Sequence, residues 1–477
     1  MSAIVGRKRE LAQLRSLLES DRSEFVAVYG RRRVGKTFLI REAFDYKFTF
    51  QHTGILDAPK SEQISEFMRS LYKVYPEKCK QPRTWFDAFH LLEDYLESLG
   101  EGKKLLFIDE MPWMDTPRSN FIKALDHFWN GWSTMRKDIV LIICGSATSW
   151  IIDNVINNYG GLHNRLTGQI YLRPFNLNEC EEFCKNANLE YTRRQILEAY
   201  MAVGGVPFYW TCLKRGQSIA QNFDRMFFSA KGELTSEFAA LYRSLFRNPT
   251  PHLKIITALA KKKFGLTREE VLKATELADN STFIDAIKEL IQCDFIRKYT
   301  CFGKSSKDAL YQLTDNYTLF YFKFIKENTA EDTNFWSANY NTSVHNTWAG
   351  LSFEMVCLQH IEQIKRALGI SGVICHAYSW THKATNPDDS GAQIDLLIDR
   401  NDDVINLCEM KYSIASYTID DREMALLQNR KSTFLRETAT RKSILLTMIT
   451  TYGLTPGGNS YDISSSITMD DLFAPSL

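Results

Sequence analysis

Residues 25–44, FVAVYGRRRVGKTFLIREAF, change character twice. A short apolar run of strand type is followed by Gly30-x-x-x-x-Gly35-Lys36-Thr37, and that loop by a helical pattern. Strand, glycine-bracketed loop and helix in this order make a phosphate-binding loop. The glycines let backbone N–H groups curl around phosphate oxygens at a helix N-terminus, Lys36 reaches the outer phosphates, and the Thr37 hydroxyl suits Mg²⁺. The implied ligand is ATP with Mg²⁺.

Working outward, KKLLFIDEMPW (103–113) is an apolar strand ending in Asp109-Glu110. Apolar strands ending in an acidic pair are common, but beside a phosphate loop this one suits a second phosphate-site element. Asp109 then faces the metal ion and Glu110 polarises the attacking water. A further buried strand in DIVLIICGSATSW (138–150) ends in small polar residues. Ser146 is either a γ-phosphate sensor or part of a strand-end turn. A helix from about Ser149 to Asn158 precedes YGGLHNRLTGQIYLRPF. Arg165 in that segment is read as an arginine finger that neutralises phosphoryl charge from a neighbouring subunit, which implies a homo-oligomer; the alternative is a surface arginine paired with a carboxylate.

The whole chain sets bounds on these readings. At 477 residues it exceeds one core and implies about three or four domains. Its 44% hydrophobic and 24% charged content is that of a globular protein. The apolar runs are far shorter than the ~20 residues of a membrane span, and MSAIVGRKRE lacks a signal-peptide core, so a cytoplasmic protein with no membrane segment is expected. The ten cysteines are scattered, several inside apolar patterns, and imply no disulfide framework. Cys180 and Cys184 lie one helical turn apart without a second pair at zinc spacing. A net charge of +1 neither requires nor excludes nucleic acid.

Together IVGRKRELAQL (4–14), the phosphate loop, FIDEMPW, LHNRLTGQI and GGVPFYW (204–210) resemble the archaeal-type ATPases of the AAA+/STAND group. The resemblance implies a parallel-sheet core with a helical lid, Gly6-Arg7 near the adenine, and Pro207 approaching the nucleotide from the lid. In physical terms Gly204-Gly205 breaks a helix and Pro207 fixes a turn, which a plain loop would also explain.

From about Thr250 to Phe324 three helical patterns precede two strands. HLKIITALAKKK is amphipathic, TREEVLKATEL opens with a Thr267-x-x-Glu270 capping box, and NSTFIDAIKELIQCDFI places Phe283, Ile287 and Leu290 on one face. RKYTCFGKSSKDALYQLTD reads as two strands around a turn. This order is a winged helix-turn-helix. Either its third helix enters a DNA groove with Lys304 and Lys307 on phosphate, or it is a protein-packing module that docks on the ATPase. Eleven Lys and Arg against nine Asp and Glu over 250–315 favour neither.

At the C-terminal end, AQIDLLIDR and VINLCEMKY are strands joined by Asn401-Asp402-Asp403. With those three as the loop, Arg400 pairs with Val404 and Asp395 falls opposite Glu409, while Lys411 shares the Glu409 face. Glu354, in AGLSFEMVCLQHIEQI, falls in an apolar stripe with Leu351, Leu358 and Ile361 and needs a partner there. Helix with Glu354, strand with Asp395, strand with Glu409-x-Lys411 resembles the PD-(D/E)XK nuclease core, although alternation on a half-solvated strand also yields Glu-x-Lys. The resemblance implies that Glu354, Asp395 and Glu409 hold Mg²⁺ or Mn²⁺ while Lys411 steadies the charged transition state of DNA cleavage. TTYGL (450–454) and ITMDDLF (467–473) are similar to that domain's closing segments, and archaeal-type ATPases commonly carry it C-terminally.

The expected architecture is α/β and multidomain: a P-loop ATPase core over 1–175, a helical lid over 176–248, a winged helix-turn-helix over 249–328 and a restriction-endonuclease-like domain over 335–477. The expected function is an ATP-hydrolysing switch coupled to a metal-dependent DNA nuclease, or a nucleotide-gated regulator that binds DNA or protein without cutting.

Overall fold

A computed structural model describes residues 4–76, 81–157, 162, 164–328, 332–384 and 391–475. Asn158, the expected end of one helix, and His163 of the LHNRLTGQI motif lie outside them. The chain divides into two compact units, one of residues 1–174, 239–250 and 285–293, the other of 175–238, 251–284 and 294–477.

In the first unit β1 (Glu24–Tyr29), β2 (Phe50–Thr53), β3 (Lys104–Asp109), β4 (Ile139–Gly145) and β5 (Gly168–Tyr171) form one parallel sheet in the order β2-β3-β4-β1-β5. Every residue of β4 is buried, which accounts for its unbroken apolar run: a parallel strand covered on both faces has no reason to alternate. On one face Val26, Val28, Phe107 and Ile142 pack with α1 (Lys8–Ser16) and α2 (Lys36–Ala43) through Leu14, Leu39 and Ile40. On the other Phe25, Ile108 and Leu141 pack with α3 (Lys60–Tyr72), α4 (Trp85–Ser98) and α5 (Phe121–His127). Trp85, Phe89 and Phe121 join those last helices by ring contacts at 5.0–6.1 Å.

The second unit begins with helices α6 (Leu177–Asn186) and α7 (Arg193–Val203). Each starts on a complete capping box, Asn176 with Glu179 and Thr192 with Gln195. Then α8 (Thr250–Leu259) and α9 (Arg268–Thr275) precede α10 (Ser281–Gln292), followed by a small antiparallel sheet of order β6-β8-β7: Leu266–Thr267, Leu310–Leu313 and Ile296–Tyr299. The Thr267–Glu270 capping box opens α9 as the sequence requires. Residues 285–293 of α10 cluster with the first unit, where Lys288 Nζ pairs with both carboxylate oxygens of Asp153 at 2.7 and 2.8 Å.

The rest of the second unit carries α11 (Ser343–Gln359), α12 (Ile361–Ala367) and a mixed five-stranded sheet. Its strands β9 (Cys375–His382), β10 (Ala392–Arg400) and β11 (Val404–Lys411) are antiparallel. Helix α13 (Asp421–Thr438) then leads to β12 (Ser443–Thr450) and β13 (Ser465–Thr468), both parallel to β11. Met424, Leu427 and Phe434 of α13 close the core over Ile394, Leu397, Leu407 and Leu446. Phe302, from the turn between β7 and β8, packs on that core against Tyr378 and Phe434, and its N–H donates to the Ser379 carbonyl.

Two expectations are corrected here. Leu351 is 46% exposed, and the helix breaks at His360 so that Ile361 belongs to α12. Glu354 therefore does not lie in a continuous apolar stripe; its surroundings are set by neighbouring chain segments. The four described β10–β11 pairs keep the expected register, Leu396 with Cys408 through Asp399 with Ile405. Asp395, however, lies at a bulge: across from β9, Ile394 faces Trp380 and Leu397 faces Tyr378, so β10 carries one extra residue between them.

Candidate nucleotide and metal sites

In the first unit, Gly30 has φ 140 and Gly35, capping α2, has φ 90. A Cβ on Gly30 would come within 2.3 Å of the Leu172 carbonyl oxygen, so both conformation and close approach require glycine. The loop places Lys36 at the helix start, buried, with Nζ donating to the Gly30 and Arg31 carbonyls at 2.9 Å each. Thr37 Oγ1 donates to Asp109 Oδ2 at 2.9 Å. A hydroxyl and a carboxylate oxygen at that separation suit Mg²⁺, which binds oxygen and retains waters. The structure thus brings the Thr37 and Asp109 of two separate sequence motifs into contact.

Glu110 follows Asp109 with φ 45, a left-handed turn off the strand end. Its Oε2 accepts from the Ser146 backbone N–H at 3.0 Å and from Ser146 Oγ at 2.9 Å. Burial raises the Glu110 carboxyl above its usual range, against the pull of Lys36 and the Ser146 bonds. Ser146 fixes the orientation of Glu110, a role the sequence reading did not assign. Gly6 and Arg7 form the left-handed entry to α1, with Arg7 donating to the Arg173 carbonyl. Arg165 is exposed on the segment before β5.

In the second unit α7 ends at Val203, Gly204 caps it, and Pro207 is the first residue of the next short helix, Pro207–Thr211. Gly205 is forced by approach: a Cβ there would stand 1.7 Å from the Phe175 carbonyl oxygen. Trp210 Nε1 donates to the Gly204 carbonyl at 2.8 Å and fixes the break. Earlier on α7 the buried Glu198 accepts from Tyr340 Oη at 2.7 Å, Tyr412 Oη at 2.9 Å and Arg194 Nε at 3.2 Å. Tyr412 directly follows Lys411, so this helix is tied to the end of β11.

The acids of the C-terminal sheet form two groups. Glu354 and Asp395 share Lys263, whose Nζ lies 2.6 Å from Glu354 Oε2 and 3.3 Å from Asp395 Oδ2. Burial and the nearby Asp395 push Glu354 up to about 7 despite that lysine. Glu409 pairs with Lys411 at 3.0 Å and with Arg430 of α13, while Lys411 also reaches Glu423 at 3.0 Å. Burial opposes the Lys411 charge, but Glu409 and Glu423 hold its pKa above the ordinary value. Among the described residues the carboxylate oxygens of Glu354, Asp395 and Glu409 do not all come within 4.8 Å of one another: Asp395 lies with Glu354 and Lys263, and Glu409 with Lys411 and Arg430. An all-carboxylate donor set fits a hard divalent cation such as Mg²⁺ or Mn²⁺, and Lys263 already places one positive charge between Glu354 and Asp395. The sequence reading missed Lys263, Glu423 and Arg430; the one signal for Lys263 was the lysine run ending HLKIITALAKKK.

Residues 4–211 match the family model described as the ATPase domain predominantly from Archaea. An uncharacterised protein of Methanocaldococcus jannaschii is 27% identical over 417 residues, covering 86% of this chain and 87% of that one. Among solved structures, the Walker-type ATPase of Pyrococcus abyssi aligns at 18% identity and TM-score 0.48 over 66% of this chain and 95% of that one. The Aeropyrum pernix ORC2 protein, solved as ADPNP-ADP complexes, aligns at 15% identity and TM-score 0.40 over 66% and 91%. No helix among the described residues is long and apolar enough to cross a membrane. Residues 4–211 form an ATPase domain of archaeal type, built on the parallel sheet that carries Lys36, Thr37, Asp109 and Glu110.

Proposed function

We propose that the chain is an ATP-hydrolysing switch whose C-terminal domain is a divalent-metal-dependent DNA nuclease. The observation that carries the second half is the set Glu354, Asp395 and Glu409-x-Lys411 arising from a helix and two antiparallel strands of one sheet. In the ATPase, Lys36 and the loop amides hold the phosphates, Thr37 and Asp109 hold Mg²⁺, and Glu110, oriented by Ser146, accepts a proton from the attacking water. Gly6 and Arg7 belong to the nucleotide site, and the exposed Arg165 completes the site of a neighbouring copy in a homo-oligomer.

In the nuclease, a divalent ion held by Glu354, Asp395 and Glu409 would activate water and stabilise the leaving oxygen. Lys411, kept charged by Glu409 and Glu423, would neutralise charge on the scissile phosphate. The segment 249–328 acts as a winged helix that packs on protein. Its Lys263 meets the acids and its Phe302 meets the C-terminal core, and Lys288 is already engaged by Asp153. Lys304 and Lys307 remain exposed and are its candidate phosphate contacts.

One observation favours a switch that binds without cutting: Glu354 and Asp395 already share one protein cation, Lys263, and Glu409 is paired with Arg430. Cleavage of labelled single- and double-stranded DNA with Mg²⁺ or Mn²⁺ separates the two. The nuclease reading requires cleavage by the wild type that disappears in Glu409→Ala and Lys411→Ala while ATP hydrolysis persists. ATP hydrolysis without cleavage by any of the three proteins would establish the second reading.

A further inference from the structure

Helices α4 and α5 meet along an aromatic seam in which Phe89 meets Phe121 in a tilted contact at 6.1 Å and stacks on Phe128 at 5.2 Å. At the edge of that seam three metal-ligating side chains face one another. His90 and Glu93, three residues apart, lie on one face of α4, and His127 is the last residue of α5. A ring nitrogen of each histidine and a carboxylate oxygen of Glu93 all lie within 4.8 Å of one another. The two imidazoles are 5.7 Å apart with planes at 78°, and Phe86 supports His127 from the same face of α4 at 5.9 Å. Beyond His127 the chain passes into a π-helical turn, Phe128–Trp132, which contains Gly131. Gly131 leaves the His127 ring without a side chain over it; even a Cβ there would come to 3.7–3.8 Å of Cε1, Nδ1 and Nε2.

A second observation points to a ligand. Glu93 Oε1 is buried and has no hydrogen-bond partner. Among the described residues no lysine or arginine forms an ion pair with Glu93; the charged groups that act on it are Glu97 and Asp94, both acidic. An unsatisfied carboxylate oxygen inside an acidic neighbourhood is costly unless a cation or a proton answers it. Two imidazoles and a carboxylate are a borderline-soft set: they suit Zn²⁺, Co²⁺ or Ni²⁺ and suit Mg²⁺ poorly. Three protein ligands leave a fourth position for water, which the exposure of both histidines permits.

We propose that His90, Glu93 and His127 form a transition-metal site of the Zn²⁺ class that clamps α4 to the end of α5. It is separate in residues and in chemistry from the oxygen-only sites at Thr37–Asp109 and at Glu354–Asp395. The experiment is titration of the EDTA-stripped full-length chain with Co²⁺ and with Zn²⁺, following Co²⁺ visible absorption and, for Zn²⁺, binding heat and thermal midpoint. Wild type, His90→Gln, His127→Gln and the double variant are compared, with ATP binding as the check that each is folded. The expected result is one equivalent bound with nitrogen-type Co²⁺ bands, a raised midpoint, and at least ~10-fold weaker binding in either single variant. Failure of the wild type to bind either ion, or binding and bands unchanged in the folded double variant, would overturn the assignment, since the ion would then sit elsewhere. Should either substitution abolish ATP binding, Glu93→Gln replaces it, and the same loss of affinity is required.

Discussion

Replacing Lys263 with methionine removes one charge and keeps most of the stem. Its Nζ lies 2.6 Å from Glu354 and 3.3 Å from Asp395. With an effective dielectric near 20, each contact is worth roughly 5–6 kcal/mol before desolvation. Most of that is offset by taking three charges out of water, and the lysine side chain is 34% exposed, so solvent screens the rest. The expected net destabilisation is ~1–2 kcal/mol, read as a lower urea midpoint with an unchanged slope. A divalent ion at the acids no longer has an ammonium to displace, so Mn²⁺ binding by calorimetry should tighten at least ~10-fold in Lys263→Met, and saturating Mn²⁺ should recover the lost stability. A chelator present throughout should leave the variant at its lower midpoint. Equal Mn²⁺ affinity in the two proteins, or a midpoint that does not respond to Mn²⁺, would refute the argument that Lys263 stands in for a cation at these acids.

Three further outcomes follow from single sites. Lys36→Ala removes the proposed phosphate contact and the two carbonyl bonds across the loop, so ATP binding should fall below detection while the thermal midpoint without nucleotide stays near wild type; undiminished binding would displace Lys36 from the site. Gly205→Ala drives a Cβ into the Phe175 carbonyl and should cost more than ~3 kcal/mol of stability; a loss under ~1 kcal/mol would mean the α7 break relaxes freely. Burial holds His52 down to about 4, with Nδ1 on Ser70 Oγ. Its folded pKa is depressed, so the unfolded chain takes up the proton first: the stability is present above about pH 6.5 and is lost as pH falls toward 4, by up to ~3 kcal/mol. Urea unfolding at stepped pH should show a shallower decline in His52→Gln, and an identical decline would remove His52 as its source.

The candidate nucleotide site was legible in the sequence because its parts are local. A loop bracketed by Gly30 and Gly35, and a strand ending in Asp109-Glu110, each state their chemistry within a dozen residues, and the sheet joins them through the Thr37–Asp109 contact. The hairpin register was also readable, since a three-residue loop fixes parity along both strands for as long as they stay regular. The bulge at Asp395 was not, because one inserted residue leaves no mark in an alternating pattern.

By itself, then, the sequence determined the phosphate loop, the buried parallel strands, the capping box at Thr267, and which acids the C-terminal sheet carries. Only the tertiary structure decided what those acids face. Lys263 reaches Glu354 and Asp395 from 91 and 132 positions away, Arg430 comes to Glu409 from α13, and His127 meets His90 across two helices. The reason is physical: periodicity records which face of an element is buried, whereas the partner of a charge is set by packing between elements distant in the chain.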